Sequence, residues 1–138
     1  MLMDVKNTLT YIMREENLNA TELCEKTNIP HSSLSDYLSG KVSPRFKTFC
    51  KMVNSLNYDV VALTPTGKVY KVKDISSCFK HIRLYSDIDL KTLSANSGIT
   101  TNQLYNLILG RNDPTIRTIN SILASSGYSI KIKKRSKK

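Results

Sequence analysis

The sequence is short of several things, and each scarcity excludes something. Five glycines and four prolines in 138 residues, beside 40% apolar content, describe a globular chain rather than a disordered one. No apolar run approaches the roughly 20 residues that a membrane span requires, so no membrane segment is expected. The opening MLMDVKNTLTYIMREE carries acids where a secretory leader would be cationic and then apolar, and the expected location is cytoplasmic. Cysteine is scarce too. Cys24, Cys50 and Cys78 are odd in number, have no CxxC spacing and sit among apolar neighbours, the pattern of buried free thiols. Neither His31 nor His81 has a Cys or carboxylate at metal-ligand spacing, no glycine-rich loop offers to hold phosphate, and no Ser/His/Asp set can be nominated. These absences argue against an enzyme and call for no cofactor and no metal.

Positive charge is plentiful and unevenly placed. The formal net charge is +10, yet residues 1–64 hold seven Lys/Arg and seven Asp/Glu, so the whole excess lies in the second half. Six of those cations fall in the last eight residues, KIKKRSKK, which reads as a solvated tail that meets phosphate. At this length the chain is one domain or two very small ones.

An internal repeat is the most informative feature. Sliding the chain by 70 residues aligns Val5–Ala62 with Ile75–Ile132 without a gap. Leu23 falls on Leu93, Ile29 on Ile99, Leu34 on Leu104, Gly40 on Gly110, Pro44 on Pro114 and Tyr58 on Tyr128. Apolar character persists where identity does not: Leu9 with Phe79, Ile12 with Ile82, Phe46 with Ile116, Phe49 with Ile119 and Val53 with Leu123. Two copies of one hydrophobic core would look like this.

Each copy reads as four helices and a strand. Val5, Leu9, Ile12 and Met13 lie on one helical face, and Asn17 breaks the pattern. Asn19 with Glu22 three residues on is a capping-box arrangement for a second helix that stops at Asn28. Its counterpart is capped by Asp89 and stops at Gly98. A short third helix follows, Ser32 to Ser39 or Thr101 to Leu109, closed by Gly40 or Gly110. Ser43-Pro44 and Asp113-Pro114 then read as a capping side chain and a first-turn proline ahead of a fourth helix. After it, YDVVALTPTGKVYKV reads as a β-hairpin around Pro65-Thr66-Gly67, with Val61 and Leu63 making its first strand apolar on both faces. YSIKIKK reads as a strand with Tyr128, Ile130 and Ile132 on one face.

Two short helices joined by a tight turn form a helix-turn-helix. The segments LCEKTNIPHSSLSDYLSGKVSPR and LSANSGITTNQLYNLILGRNDPT each resemble the Cro/cI-type, lambda repressor-like (XRE) DNA-binding domain. The resemblance implies a mainly α fold: two lambda repressor-like helix-turn-helix repeats with a small β-sheet made of the hairpin and the C-terminal strand. The divisions are 1–64, the first repeat with its trailing strand; 65–73, the second hairpin strand; 74–132, the second repeat with its strand; and 133–138, the basic tail. A strand after the last helix is similar to that of HipB- and HigA-type antitoxins, in which it pairs across a dimer. With both strands on one chain, the expectation is a single sheet relating the repeats by an approximate twofold. Two separately tumbling domains with a hairpin linker are the alternative.

The DNA reading places three kinds of group. A recognition helix presents hydrogen-bonding side chains to base edges in the major groove. In the second repeat these are Thr101, Asn102, Gln103, Tyr105 and Asn106, a set suited to A·T pairs; in the first they are His31, Ser32, Ser33, Ser35 and Asp36. Phosphate contacts fix register. Lys41 and Arg111 follow the recognition helices, Arg45, Lys47 and Arg117 open the fourth helices, and Lys91, Lys133, Lys134 and Arg135 add to the field. The sequence departs from the family pattern at Ala20 and Leu90, where many relatives carry Gln, and at the acidic cap Asp89. The expected function is a sequence-specific, double-stranded-DNA-binding transcriptional regulator, a repressor of its own or a neighbouring operon in a bacterium, phage or mobile element. Its ligand tells it from its alternative: a protein-binding module of antitoxin or phage-inhibitor type would bind a toxin or other protein instead. An RNA target and a homodimer both remain open.

Overall fold

The computed structural model describes residues 4–72 and 89–135. Expectations for Cys78, Phe79, His81 and Ile82, for the first helix of the second repeat, and for residues 136–138 fall outside the described residues. The elements are α1 (Val5–Glu15), α2 (Ala20–Thr27), α3 (His31–Ser39), α4 (Phe46–Ser55), β1 (Tyr58–Leu63), β2 (Val69–Lys71), α5 (Leu90–Ser97), α6 (Thr101–Ile108), α7 (Ile116–Ser126) and β3 (Ser129–Lys134). The fold is mainly helical with one small antiparallel sheet. From α5 onward the order helix, helix, helix, strand repeats that of α2, α3, α4 and β1.

Local signals account for most boundaries. The Asp4 carboxylate accepts from the Asn7 N–H at 3.1 Å to start α1, whose Leu9 and Ile12 turn inward. Asn19 and Glu22 form the expected reciprocal box at α2, with the Glu22 N–H donating to Asn19 Oδ1 at 2.8 Å and the Asn19 N–H to Glu22 Oε1 at 3.0 Å. Asn28 (φ 59°) ends α2 in the left-handed conformation, and Gly98 (φ 77°) ends α5 the same way. Asn tolerates that conformation through its short polar side chain and Gly through lack of a Cβ, so two different residues make one turn.

One hydrophobic cluster runs through both halves. Leu9, Ile12, Leu23, Leu34, Phe49 and Val53 join Leu93, Leu104, Ile119, Ile122 and Leu123, with Tyr58, Val60, Ala62 and Ile130 from the strands. The halves therefore share apolar burial, the largest favourable contribution to folding.

The sheet order is β2-β1-β3, all antiparallel. β1 is central and its burial runs along both faces, as its apolar Val60, Val61 and Ala62 require. The β1–β2 hairpin turns at Pro65–Gly67, where the Thr64 N–H donates to the Lys68 carbonyl at 2.8 Å and Gly67 takes φ 90°. β1 pairs with β3 over Tyr58↔Lys134 to Leu63↔Ser129, so Val61 lies opposite Lys131, its own equivalent at the 70-residue offset. β3 continues to Lys134, past the point where the sequence suggests that a basic tail begins.

A second seam crosses between the halves ahead of α4 and α7. Arg45 bridges Thr115, again its equivalent at the same offset. The Phe46 N–H donates to the Pro114 carbonyl at 2.7 Å, and the Ile116 N–H to the Pro44 carbonyl at 2.9 Å. Residues 70 positions apart thus face each other at both 45/115 and 61/131.

The seam corrects one expectation. Ser43 and Asp113 do not cap their own helices, and Pro44 and Pro114 precede the first turns, which open at Phe46 and Ile116 with Arg45 and Thr115 as N-caps. The residue before a proline is driven into extended backbone, which carries Ser43 and Asp113 across the seam. There the caps are exchanged. The Lys47 N–H donates to Asp113 Oδ1 at 3.1 Å, and the Arg117 N–H donates to Ser43 Oγ at 3.1 Å. Each half supplies an acceptor for orphan first-turn N–H groups of the other.

Candidate nucleic-acid interface

The outer face of α6 is built by two anchors. Leu104 and Leu107 are buried, which turns Thr101, Asn102, Gln103 and Tyr105 outward to exposed positions and leaves Asn106 half-buried. Tyr105 is 51% exposed, large for an aromatic ring. α3 is anchored in the same way by Leu34, with His31, Ser32 and Ser35 exposed and Ser33 and Asp36 half-buried.

The polar groups on these faces are not equally free. Gln103 sits at the third position of α6 and closes a capping box, its Oε1 accepting from the Thr100 N–H at 3.2 Å while the Gln103 N–H donates to Thr100 Oγ1 at 3.2 Å. Bidentate reading of adenine needs the amide oxygen as well as the amide nitrogen, so Gln103 offers only its donors without giving up the cap. Asn106 Oδ1 faces Arg111 Nη1 at 3.4 Å, and the Asn106 carbonyl accepts from the Arg111 N–H at 2.9 Å. Among the described residues, the side chains of Thr101, Asn102 and Tyr105 have no hydrogen-bond partner. In the first half His31 Nε2 lies 3.5 Å from Thr21 Oγ1, tying the start of α3 to the start of α2. Lys91 stands at the position equivalent to Thr21 and is exposed.

Cations flank both helices. Lys41 and Arg111 follow Gly40 and Gly110 and are exposed, as are Lys47 and Arg117 on the first turns of α4 and α7. The seam mixes the halves: Arg117 lines one cleft with Tyr37, Val42 and Ser43 of the first half, while Arg45 lines another with Gln103, Arg111 and Asp113 of the second. Arg45 Nη1 also donates to the Asp113 carbonyl at 2.6 Å, so this guanidinium is partly spent on the seam.

Two of the expected tail cations are spent further. Lys134 Nζ pairs with Glu16 Oε2 at 2.8 Å, and Arg135 Nε pairs with Asp59 Oδ1 at 2.9 Å, a carboxylate that Lys71 also approaches at 3.6 Å. Lys133 is exposed. Sequence reasoning missed Glu16 and Asp59 because their partners lie across the molecule, and it missed the exchanged caps for the same reason. The available signal for the latter was the pair of X-Pro steps at matching places.

Of the cysteines described, Cys24 and Cys50 are free thiols. Burial, with the Asp113 carboxylate nearby, pushes the Cys50 thiol up to about 12, so it stays protonated and unreactive at neutral pH. Among the described residues no three His, Cys, Asp or Glu side chains gather as a metal set, and no helix is long and apolar enough to cross a membrane.

The arrangement amounts to two exposed, hydrogen-bonding helix faces, each preceded by a tight turn and a supporting helix and flanked by exposed cations. No curated protein and no solved structure matches the chain. Residues 9–63, from within α1 to the end of β1, match a helix-turn-helix family model.

Proposed function

We propose that the protein is a sequence-specific, double-stranded-DNA-binding transcriptional regulator, a repressor that presents two recognition helices from one chain. The observation that carries this reading is the exposed first turn of α6, Thr101 and Asn102 with Tyr105 one turn on, set beside exposed Arg111 and repeated in kind by His31, Ser32 and Ser35 of α3 beside Lys41. The family match at residues 9–63 supports it from the first half. Asn and hydroxyl groups at the N-terminal end of such a helix reach base edges in the major groove, and the cations hold phosphate on either side. Lys41, Lys47, Lys91, Arg111 and Arg117 serve as phosphate contacts, with Arg45 contributing from the seam. Two helices related by a twofold at about 34 Å meet successive major grooves on one face of a duplex, and a protein held there blocks transcription by occupancy.

The test is selection of the purified protein on a random duplex library at about 0.15 M salt, where non-specific phosphate binding is partly screened. Enrichment of a two-part motif with half-sites about ten base pairs apart is expected. Asn102→Ala is expected to cost about 1–3 kcal/mol on the enriched site and to relax one position of it. A folded protein that enriches no motif would replace this reading with that of a protein-binding module, with a toxin or other protein as its ligand.

A further inference from the structure

We infer that the operator is non-palindromic and is bound by a single chain in one fixed orientation. This rests on the DNA-reading function proposed above and adds the form of the site. A symmetric dimer offers identical helices to both half-sites and so selects a palindrome, because operator symmetry mirrors protein symmetry. This chain keeps the geometry of such a pair without its chemical identity.

The halves are held together at two places where residues 70 positions apart face each other. β1 and β3 pair over six positions about Val61↔Lys131, and the segments before α4 and α7 pair about Arg45↔Thr115 with their caps exchanged. Both edges of β1 are filled in cis, one by β2 and one by β3. The contact through which this strand would meet a second copy is thus already made within the chain. Lys131 and Lys133 of β3 are exposed, and charges on an edge strand oppose addition of another strand.

The chemistry differs at every equivalent base-facing position. Thr101 stands for His31, Asn102 for Ser32 and Tyr105 for Ser35. Asn102 has the acceptor and donor that grip adenine together, whereas Ser32 and Ser35 have hydroxyls that accept or donate to several bases. The seam is unequal too, since Arg45 faces Thr115 and Asp113 mirrors Ser43. One half-site therefore carries most of the sequence information, at A·T pairs under α6, and the other is read more permissively under α3. A duplex offered in the reverse sense puts Asn102 over the permissive half and loses that information.

The experiment uses the full chain and the motif that selection enriches. Three duplexes are compared: the enriched site, a palindrome built from its left half and a palindrome built from its right half. The expected result is one chain per duplex by native mass spectrometry, with the enriched site bound at least about tenfold tighter than the palindrome of the half that α3 reads and by a smaller factor than that over the palindrome of the half that α6 reads. Thr101→Ala with Asn102→Ala should relax one half-site alone, and Ser32→Ala with Ser35→Ala the other, thermal melts showing each variant folded. A palindromic motif bound by two chains would overturn the inference and leave DNA reading standing. Absence of any motif would overturn both.

Discussion

Glu16 shows what single residues do in this chain. Its carboxylate accepts from the Tyr58 hydroxyl at 3.3 Å and pairs with Lys134 at 2.8 Å, so one acid of the first half anchors the strand ends of both halves. Burial first, and then the neighbouring Glu16 charge, raise the Tyr58 phenol from 10.0 to about 12. The hydrogen bond to Glu16 raises Lys134 above its ordinary 10.5. Both groups hold their protons longer folded than unfolded. The stability they give is therefore complete below their unfolded values near 10 and is lost as pH climbs through their raised folded values, about 12 for Tyr58. Urea midpoints should hold level up to about pH 9 and fall beyond about pH 10, and Tyr58→Phe should be less stable at pH 8 with a shallower alkaline fall. Equal alkaline slopes in the two proteins would assign the fall to other groups. Cys50 gives a simpler expectation: with its thiol at about 12 it should resist iodoacetamide at pH 8 in the folded protein and react once unfolded, as peptide mass mapping would read.

At the scale of elements, the exchange of caps between α4 and α7 is one of the links that join the halves. An N-cap normally stabilises the helix it precedes, whereas here Asp113 serves α4 and Ser43 serves α7. Asp113→Ala and Ser43→Ala should each cost about 1 kcal/mol, the usual worth of a lost cap. The location of the damage tests the exchange: hydrogen exchange should quicken at the Lys47 amide in Asp113→Ala and at the Arg117 amide in Ser43→Ala. Loss of protection at Arg117 in Asp113→Ala would mean that the caps act locally after all. The contrast with α2 explains what the sequence could show. Asn19, Glu22, Asn28, Gly40 and the Pro65–Gly67 turn act on neighbours within a few residues, so their roles were legible. Ser43 and Asp113 act on residues more than sixty positions away, and local spacing carries no sign of that. Gln103 was legible as exposed but not as engaged, because a third-position Gln serves equally as reader and as cap. Lys134 and Arg135 read as tail because a run of cations looks solvated until its acids are located in space.

For the whole molecule, the continuous core, the β1–β3 pairing and the crossed seam all oppose independent motion of the halves. Amide nitrogen relaxation should return one rotational correlation time for residues of α2–α4 and of α5–α7, and two distinct times would favour domains on a linker. The same joining redistributes charge. A net +10 concentrated in the second half suggests a chain whose strand and tail meet phosphate, yet Lys134 and Arg135 reach back to Glu16 and Asp59 and cancel part of the acid of the first half. Lys47 and Arg117, exposed on the first turns of α4 and α7, are among the cations proposed above to meet a duplex. Removing a phosphate contact reduces the slope of log affinity against log salt by about 0.9, while removing an internal ion pair does not. Lys47→Ala and Arg117→Ala should each flatten that slope by about one with urea stability little changed, and Lys134→Ala should lower stability while leaving the slope alone. Titrations of the selected duplex across a range of salt would separate the two classes. If Lys134→Ala flattened the slope instead, its bond to Glu16 would have to open on DNA, and the cations of β3 would belong to the interface rather than to the fold.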